Sequence, residues 1–191
     1  VSSPTQPPAA AALQNRLETE LKSDPSDEGK KQALSVRAAL ASPDSKASAF
    51  SQALNPKTNY AELEELASSF RLTGQEGFTA PLVAQYFAAL PEVSKSRTQE
   101  EAALFAMSFY PLLCNANGAE QLAQTLSSQG KMLPAGVTQA LVRVREEELR
   151  CLRLRGEQKT SSSAPAQPGN DPIPSREADG AKQALAPKTP N

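Results

Sequence analysis

The segment "RLTGQEGFTAPLVAQYFAALPEV", from Arg71 to Val93, decides how this chain folds. A polar turn between Gly74 and Gly77 leads directly into an apolar run with helical spacing. Two interpretations of the turn are open. It is either a loop that holds an anion at a helix N-terminus or a corner in which Gly74 ends one helix before the next begins. No Gly-Lys-Ser/Thr sequence follows and no strand precedes the turn, which excludes a nucleotide-binding loop and favours the corner.

Helical periodicity continues on both sides of this corner. Asn59 and Glu62 form a capping box before the preceding helix. Asp24-Pro25 and Ser42-Pro43 each read as a cap followed by proline in the first helical position, and Ser96 is expected to cap the sixth helix. No segment alternates apolar and polar residues for long enough to predict a strand. The chain is therefore predicted to be all-α, an α-solenoid of about eight helices in antiparallel, HEAT-like pairs.

Composition divides the chain into three parts. Residues 9–155 are predicted to form the helical domain. The segment 156–191 holds six prolines and no aromatic residue, so it cannot bury enough apolar area to offset its ordering entropy and is predicted to be a disordered tail. Residues 1–8 are predicted to be a disordered N-terminal end. Because the chain begins at Val1 with three prolines in its first eight residues, we expect it to derive from a larger parent protein.

Charge and residue counts exclude several functions. The 20 basic residues against 21 acidic ones argue against nucleic acid as a partner. No apolar run is long enough to cross a bilayer, so no membrane partner is predicted. With no histidine in the chain, a Ser-His-Asp triad, a Cys-His pair and an HExxH zinc helix are all excluded within it. Cys114 and Cys151 are too few for a disulfide framework and are interpreted as small buried apolar residues in a reducing cytosol.

The last predicted helix has one face made by Val137, Leu141, Val144, Glu148 and Leu152. Its three consecutive glutamates point 100° apart and cannot converge on one metal ion, so a solvated face is predicted instead. On that face Glu146 is expected to pair with Arg150, and Arg143 with Glu147. Most aromatic residues in the middle of the chain are predicted to be core. Tyr86 and Tyr110 carry hydroxyls and are candidates for lining a groove.

Four segments together carry a resemblance to a known family. They read "LKSDPSDEGKKQALSVRAAL", "GQEGFTAPLVAQYFAALPEV", "SRTQEEAALFAMSFYPLL" and "ALVRVREEELRCLRLR". In this order they resemble the C-terminal helical domain of bacterial aminopeptidase N, a zinc metallo-aminopeptidase, whose members have a similar "PGQE-x-L-x-x-P-Y-V-x-x-YF" segment. The resemblance covers about residues 10–155. Two departures are Leu72-Thr73, where the family has proline before Gly-Gln, and Gly77, where it has a larger residue.

The resemblance implies a bowl-shaped α-solenoid that encloses the active-site cavity of a peptidase and limits the entry of peptides. It implies zinc in the parent enzyme, but no cofactor, metal ligand or catalytic residue in this chain. The implied partners are the parent's catalytic domain and peptide substrates, and the implied compartment is the cytoplasm. Polar groups at the corner and on the next helix are the predicted cavity contacts: Gln75, Glu76, Tyr86 and Arg97. The alternative is a stand-alone helical-repeat module that binds proteins or peptides.

Overall fold

A computed structural model describes the backbone of residues 8–162 and the side chains of residues 12–155. Within this range every element is a helix, which confirms the all-α prediction. The helices are α1 Pro8–Ser23, α2 Asp27–Ala39, α3 Pro43–Leu54, α4 Tyr60–Phe70, α5 Glu76–Thr79, α6 Val83–Ser96, α7 Gln99–Ser108, α8 Ala116–Gln129 and α9 Ala135–Ser162. Parts of the segments predicted to be disordered are helical, because Pro8 begins α1 and α9 continues through residues 156–162. The rest of those segments lies outside the described residues.

The helices form two layers. In one layer α2, α4, α7 and α9 pack side by side in that order. In the other, α1 packs on α2, α3 packs against α2 and α4, α6 packs on α7, and α8 packs on α9. Stacking one helix of each pair in series is the arrangement of an α-solenoid, in which each helical pair contacts chiefly its neighbours.

Helix starts follow local capping chemistry. Ser42 caps α3 with Pro43 in the first turn, and Asn59 with Glu62 forms the capping box of α4, both as predicted. Two predicted caps are wrong. Ser26, not Asp24, caps α2, because the Asp24 carboxylate accepts instead from the Ser26 N–H (3.2 Å).

Ser96 is the last residue of α6 rather than the cap of the next helix. Thr98 caps α7 in a second capping box with Glu101, which supplies two reciprocal hydrogen bonds that a serine two residues earlier cannot. The predicted fifth helix is also divided. Its first turn, expected to contain Pro81, is a 3-10 turn, Ala80–Leu82, that leads into α6, and the short helix α5 before it was not predicted. Pro81 lies in this turn, where its missing N–H interrupts a continuous α-helix.

The core contains an aromatic cluster at the centre of the layers. Phe70 of α4 lies 4.9 Å, centroid to centroid, from Phe109, which stacks on Phe105 at 5.3 Å. Tyr86 and Tyr110 are fully buried beside this cluster, so the prediction that they line a groove is wrong. The Tyr86 hydroxyl donates to the Ala106 carbonyl within the core, which removes its need for water.

Lys46 is a fully buried cation that joins two helix ends. Its ammonium donates to the carbonyls of Ala38, at the end of α2, and of Phe70, at the end of α4 (2.8 Å for Phe70). These are carbonyls that a helix leaves without an intrahelical partner. Burial lowers the pKa of Lys46 from 10.5 to about 8. The lysine therefore ties neighbouring helices of the first layer together at one end.

Candidate functional site: the corner cleft

The turn after α4 is a corner between helices. Gly74 adopts φ +84°, in the left-handed region that favours glycine. Its N–H donates to the Glu76 carboxylate at 3.3 Å, so an acidic side chain already occupies the turn. Since α5 has only four residues, no extended helix N-terminus stands behind the turn to bind an anion.

A cleft of about 170 Å³ opens beside this corner, and we call it the corner cleft. Side chains from α4–α5, the segment after α7 and α9 line it: Arg71, Leu72, Thr73, Glu76, Thr79, Leu112 and Glu147. Its volume is below the roughly 300–1,000 Å³ typical of small-molecule sites. It suits one side chain or a short length of extended peptide rather than a whole cofactor.

Two ion pairs border the corner cleft. The Arg71 guanidinium lies 3.0 Å from the Glu147 carboxylate, and the Arg155 guanidinium lies 3.6 Å from Glu76. Both pairs are partly exposed, so each keeps hydrogen-bonding capacity toward solvent or a ligand. The cleft therefore offers carboxylate acceptors and guanidinium donors side by side, with Leu112 as an apolar wall.

The ion pairing predicted along the last helix is wrong. Glu147 pairs with Arg71 of the α4 end rather than with Arg143, and no Glu146–Arg150 ion pair forms among the described side chains. An arginine side chain held between helices loses less conformational entropy per hydrogen bond than a lysine side chain would. The pairing joins residues 76 positions apart, which intrahelical spacing cannot reveal.

Of the predicted cavity contacts, Gln75 and Glu76 lie at the corner. Glu76 lines the cleft. Gln75 points back into the scaffold, where its amide N–H donates to the Ala39 carbonyl at 3.1 Å. Its amide oxygen is buried without a hydrogen-bond partner among the described residues. Gln75 therefore anchors the corner on the end of α2 rather than facing the cleft.

Tyr86 and Arg97, the other two predicted contacts, do not join the cleft. Tyr86 is in the core, as described above. Arg97 donates to the carbonyls of Ala53 (2.8 Å), Asn55 (2.7 Å) and Thr58 (3.1 Å). It thereby closes the C-terminal end of α3, a structural role for a side chain that is 3% exposed.

Next to the cleft, the loop between α7 and α8 is held onto α9 by Glu148. This glutamate is fully buried, which corrects its assignment to a solvated face. Its two carboxylate oxygens accept from the backbone N–H groups of Leu113 (3.0 Å) and Asn115 (2.8 Å). Burial raises the pKa of Glu148, and the two backbone hydrogen bonds oppose that shift.

A disulfide bond holds the same loop. Cys114 and Cys151 are bonded, with Cα atoms 5.2 Å apart, so their interpretation as free apolar residues is wrong. Cys114 adopts φ +52° and is the one non-glycine residue with positive φ in the described range. A residue in this conformation lets neighbouring N–H groups point to one anion, here Glu148. Cys151 follows Glu148 by three positions, on the same side of α9.

Gly118 and Tyr110 complete the surroundings of Glu148. A Cβ atom at Gly118 would lie 2.7 Å from both the Glu148 carboxylate and the Tyr110 hydroxyl, so a larger residue there must displace one of these groups. The Tyr110 hydroxyl is buried with no partner in hydrogen-bond geometry among the described residues. Burial is the main cause that raises the pKa of Tyr110, and the nearby Glu148 carboxylate raises it further. This phenol therefore stays neutral.

Metal-ligand clusters and free thiols are missing from the described part of the chain. Among its residues no group of three or more Cys, Asp or Glu side chains is placed to hold a metal ion. Both cysteine sulfurs are in the disulfide. The corner cleft can bind polar groups, but it presents no activated nucleophile and no general base held by an orienting partner.

A second surface feature lies near the start of α9. Its groove of about 550 Å³ is lined by Pro91, Ser94, Lys95, Gln129, Met132, Leu133 and Pro134. Met132 is 77% exposed. This groove is more apolar than the corner cleft and shares no lining residue with it.

In the described range no helix combines the length and the apolarity needed to span a bilayer. Comparison with known proteins finds no family model that matches this chain and no curated protein that matches it.

Proposed function

We propose that this chain is the C-terminal helical domain of a zinc metallo-aminopeptidase, and that it encloses the peptide cavity without taking part in the chemistry. The proposal starts from the four motif segments, whose order resembles that of the aminopeptidase N family. One structural observation supports it most. Two residues of the segment at the centre of the resemblance, Glu76 and Thr79, line the corner cleft.

The chemistry of the cleft suits a peptide. A peptide backbone offers N–H donors and carbonyl acceptors, and its ends carry an ammonium and a carboxylate. Arg71, Glu76 and Glu147 present groups complementary to each of these at one small site. Zinc and the residues that activate water would belong to the parent's catalytic domain, the proposed partner of this chain. As in the resembling family, the proposed compartment is the cytoplasm.

The first test is the coding region upstream of Val1. An HExxH motif several hundred residues earlier in the same reading frame supports the proposal, whereas an upstream stop codon followed by an independent start contradicts it.

The second test is a comparison of the parent enzyme with and without this domain on di-, penta- and decapeptides. We expect turnover of short peptides to fall by about 10–100-fold on deletion, because orientation and electrostatic preorganisation are lost. Discrimination against long peptides should also weaken. Equal kcat/KM at every length, with the deleted enzyme still folded, contradicts the proposal. The variant Glu147→Gln in the intact parent tests the cleft itself, with Glu146→Gln on the exposed face of the same helix as the matched control.

The second candidate is a stand-alone helical-repeat module, favoured by the apolar groove around Met132. A module of this kind would bind peptides with no peptidase attached. Titration of the isolated chain with peptides separates the candidates. Tight binding that Met132→Ser abolishes and Glu147→Gln leaves intact favours the module.

A further inference from the structure

We propose that the Cys114–Cys151 disulfide is a redox-responsive clamp that sets the shape of the corner cleft. The contacts involved are this chain's own, and the redox response rests on the reducing compartment of the proposed function. It rests on how the disulfide, Glu148 and the cleft share one short loop.

The loop after α7 has two attachments to α9. One is the covalent bond from Cys114 to Cys151, and the other is the pair of N–H groups that flank Cys114 and donate to Glu148. Both attachments are made while Cys114 holds a positive φ, a conformation that is unfavourable for a residue with a side chain. When the covalent bond is cut, nothing covalent opposes relaxation of Cys114 into an ordinary conformation.

Relaxation of this loop reaches the cleft by two routes. Leu112, two residues before Cys114, is the apolar wall of the cleft. Glu147, next to Glu148 on α9, is the partner of Arg71. If the loop leaves α9, Leu112 withdraws from the cleft and Glu148 loses both of its hydrogen-bond donors. A buried carboxylate without donors is unfavourable, so this part of α9 must shift or admit water, and Glu147 shifts with it.

The chemical step is thiol–disulfide exchange with a small thiol of the glutathione class. The thiolate attacks Sγ of Cys151, the less buried of the two residues, and forms a mixed disulfide there. Cys114 leaves as a thiolate and takes a proton from water. A second thiol then reduces the mixed disulfide, so that one protein disulfide and two thiols give a protein dithiol and one oxidised thiol dimer. In reducing compartments, disulfides are usually transient or redox-sensing rather than permanent.

The test is an NMR comparison of the intact 191-residue chain in oxidised and reduced glutathione buffers. On reduction, we expect the amide signals of Leu113 and Asn115 to move from hydrogen-bonded toward random-coil shifts. The Arg71 Nε–H signal and the amides of Leu72–Thr79 should shift as well, while the amides of α2 and α3 stay in place. Reoxidation should restore the first spectrum.

The double variant Cys114→Ser/Cys151→Ser is the matched control. It should give the reduced-state spectrum in either buffer. Two outcomes overturn the proposal. Shifts confined to the loop and the residues around Cys151, with Arg71 and Leu72–Thr79 unchanged, mean that the disulfide does not shape the cleft. Loss of native dispersion throughout the spectrum on reduction means that the disulfide holds the whole fold together and is no local clamp.

Discussion

Replacing the buried Lys46 with methionine should destabilise the chain in a pH-dependent way. Methionine has a similar length and fills the same space, so it removes the donor without opening a large cavity. The carbonyls of Ala38 and Phe70 then lose their shared donor. Hydrogen bonds to a charged group contribute about 1.5–3 kcal/mol each, but release of a buried charge offsets part of the loss. We expect the free energy of unfolding to fall by about 2–4 kcal/mol at pH 7.

The pH dependence follows from the lowered pKa of Lys46, about 8 in the folded chain against 10.5. Between these values the unfolded chain keeps a proton that the folded chain has released. Because the unfolded state then binds more protons, stability rises with pH across this window. The full shift corresponds to about 3 kcal/mol. The Lys46→Met variant lacks this contribution, so the difference in stability between wild type and variant should grow from pH 7 to pH 10.5.

The assay is urea unfolding followed by circular dichroism at 222 nm, at several values of pH between 7 and 10.5. Other lysines and tyrosines titrate in both proteins and cancel in the difference. Lys57→Met, at an exposed lysine, is the control and should change stability by less than about 0.5 kcal/mol. The reasoning is refuted if Lys46→Met is as stable as wild type at pH 7, or if the difference stays constant up to pH 10.5.

Three further predictions concern Gly118, Glu148 and Arg97. Gly118→Ala should cost about 1–3 kcal/mol of unfolding free energy, because the new methyl group displaces Glu148 from its donors. The control is Gly77→Ala, whose new methyl group meets open space in a short helix, and it should be neutral or stabilising by up to about 1 kcal/mol. If thermal unfolding gives both variants the same change in stability, this reasoning is contradicted. Glu148→Gln should destabilise the chain by about 1–3 kcal/mol at pH 7, because an amide offers one acceptor to two N–H groups. Urea unfolding at pH 7 measures this loss, and an unchanged midpoint would contradict it. Arg97→Ala should expose the amides around Asn55 to faster hydrogen exchange, since three carbonyls lose their donor; unchanged exchange there would show that Arg97 does not close α3.

Local chemistry made much of the fold predictable. The capping box of Asn59 and Glu62 and the start of α3 at Ser42-Pro43 depend on residues within one helical turn, so the sequence contains everything they need. The corner at Gly74 was predictable for the same reason, since a left-handed residue favours glycine wherever it occurs. The errors at Asp24 and Ser96 arose where two polar residues compete to cap one helix, a choice that small differences in backbone geometry settle.

The candidate site was decided by tertiary structure. Its contacts join residues separated by 33 to 76 positions. They are the pair Arg71 and Glu147, the contacts of Glu148 with Leu113 and Asn115, and the disulfide between the two cysteines. Helical periodicity tells which face of a helix is apolar, but not which distant element covers it. The sequence alone therefore does not tell whether a glutamate on such a face is exposed at its edge or buried as a hydrogen-bond acceptor. The stacking of α4, α7 and α9 made Glu148 the acceptor, because it brought unpaired backbone N–H groups to that one position.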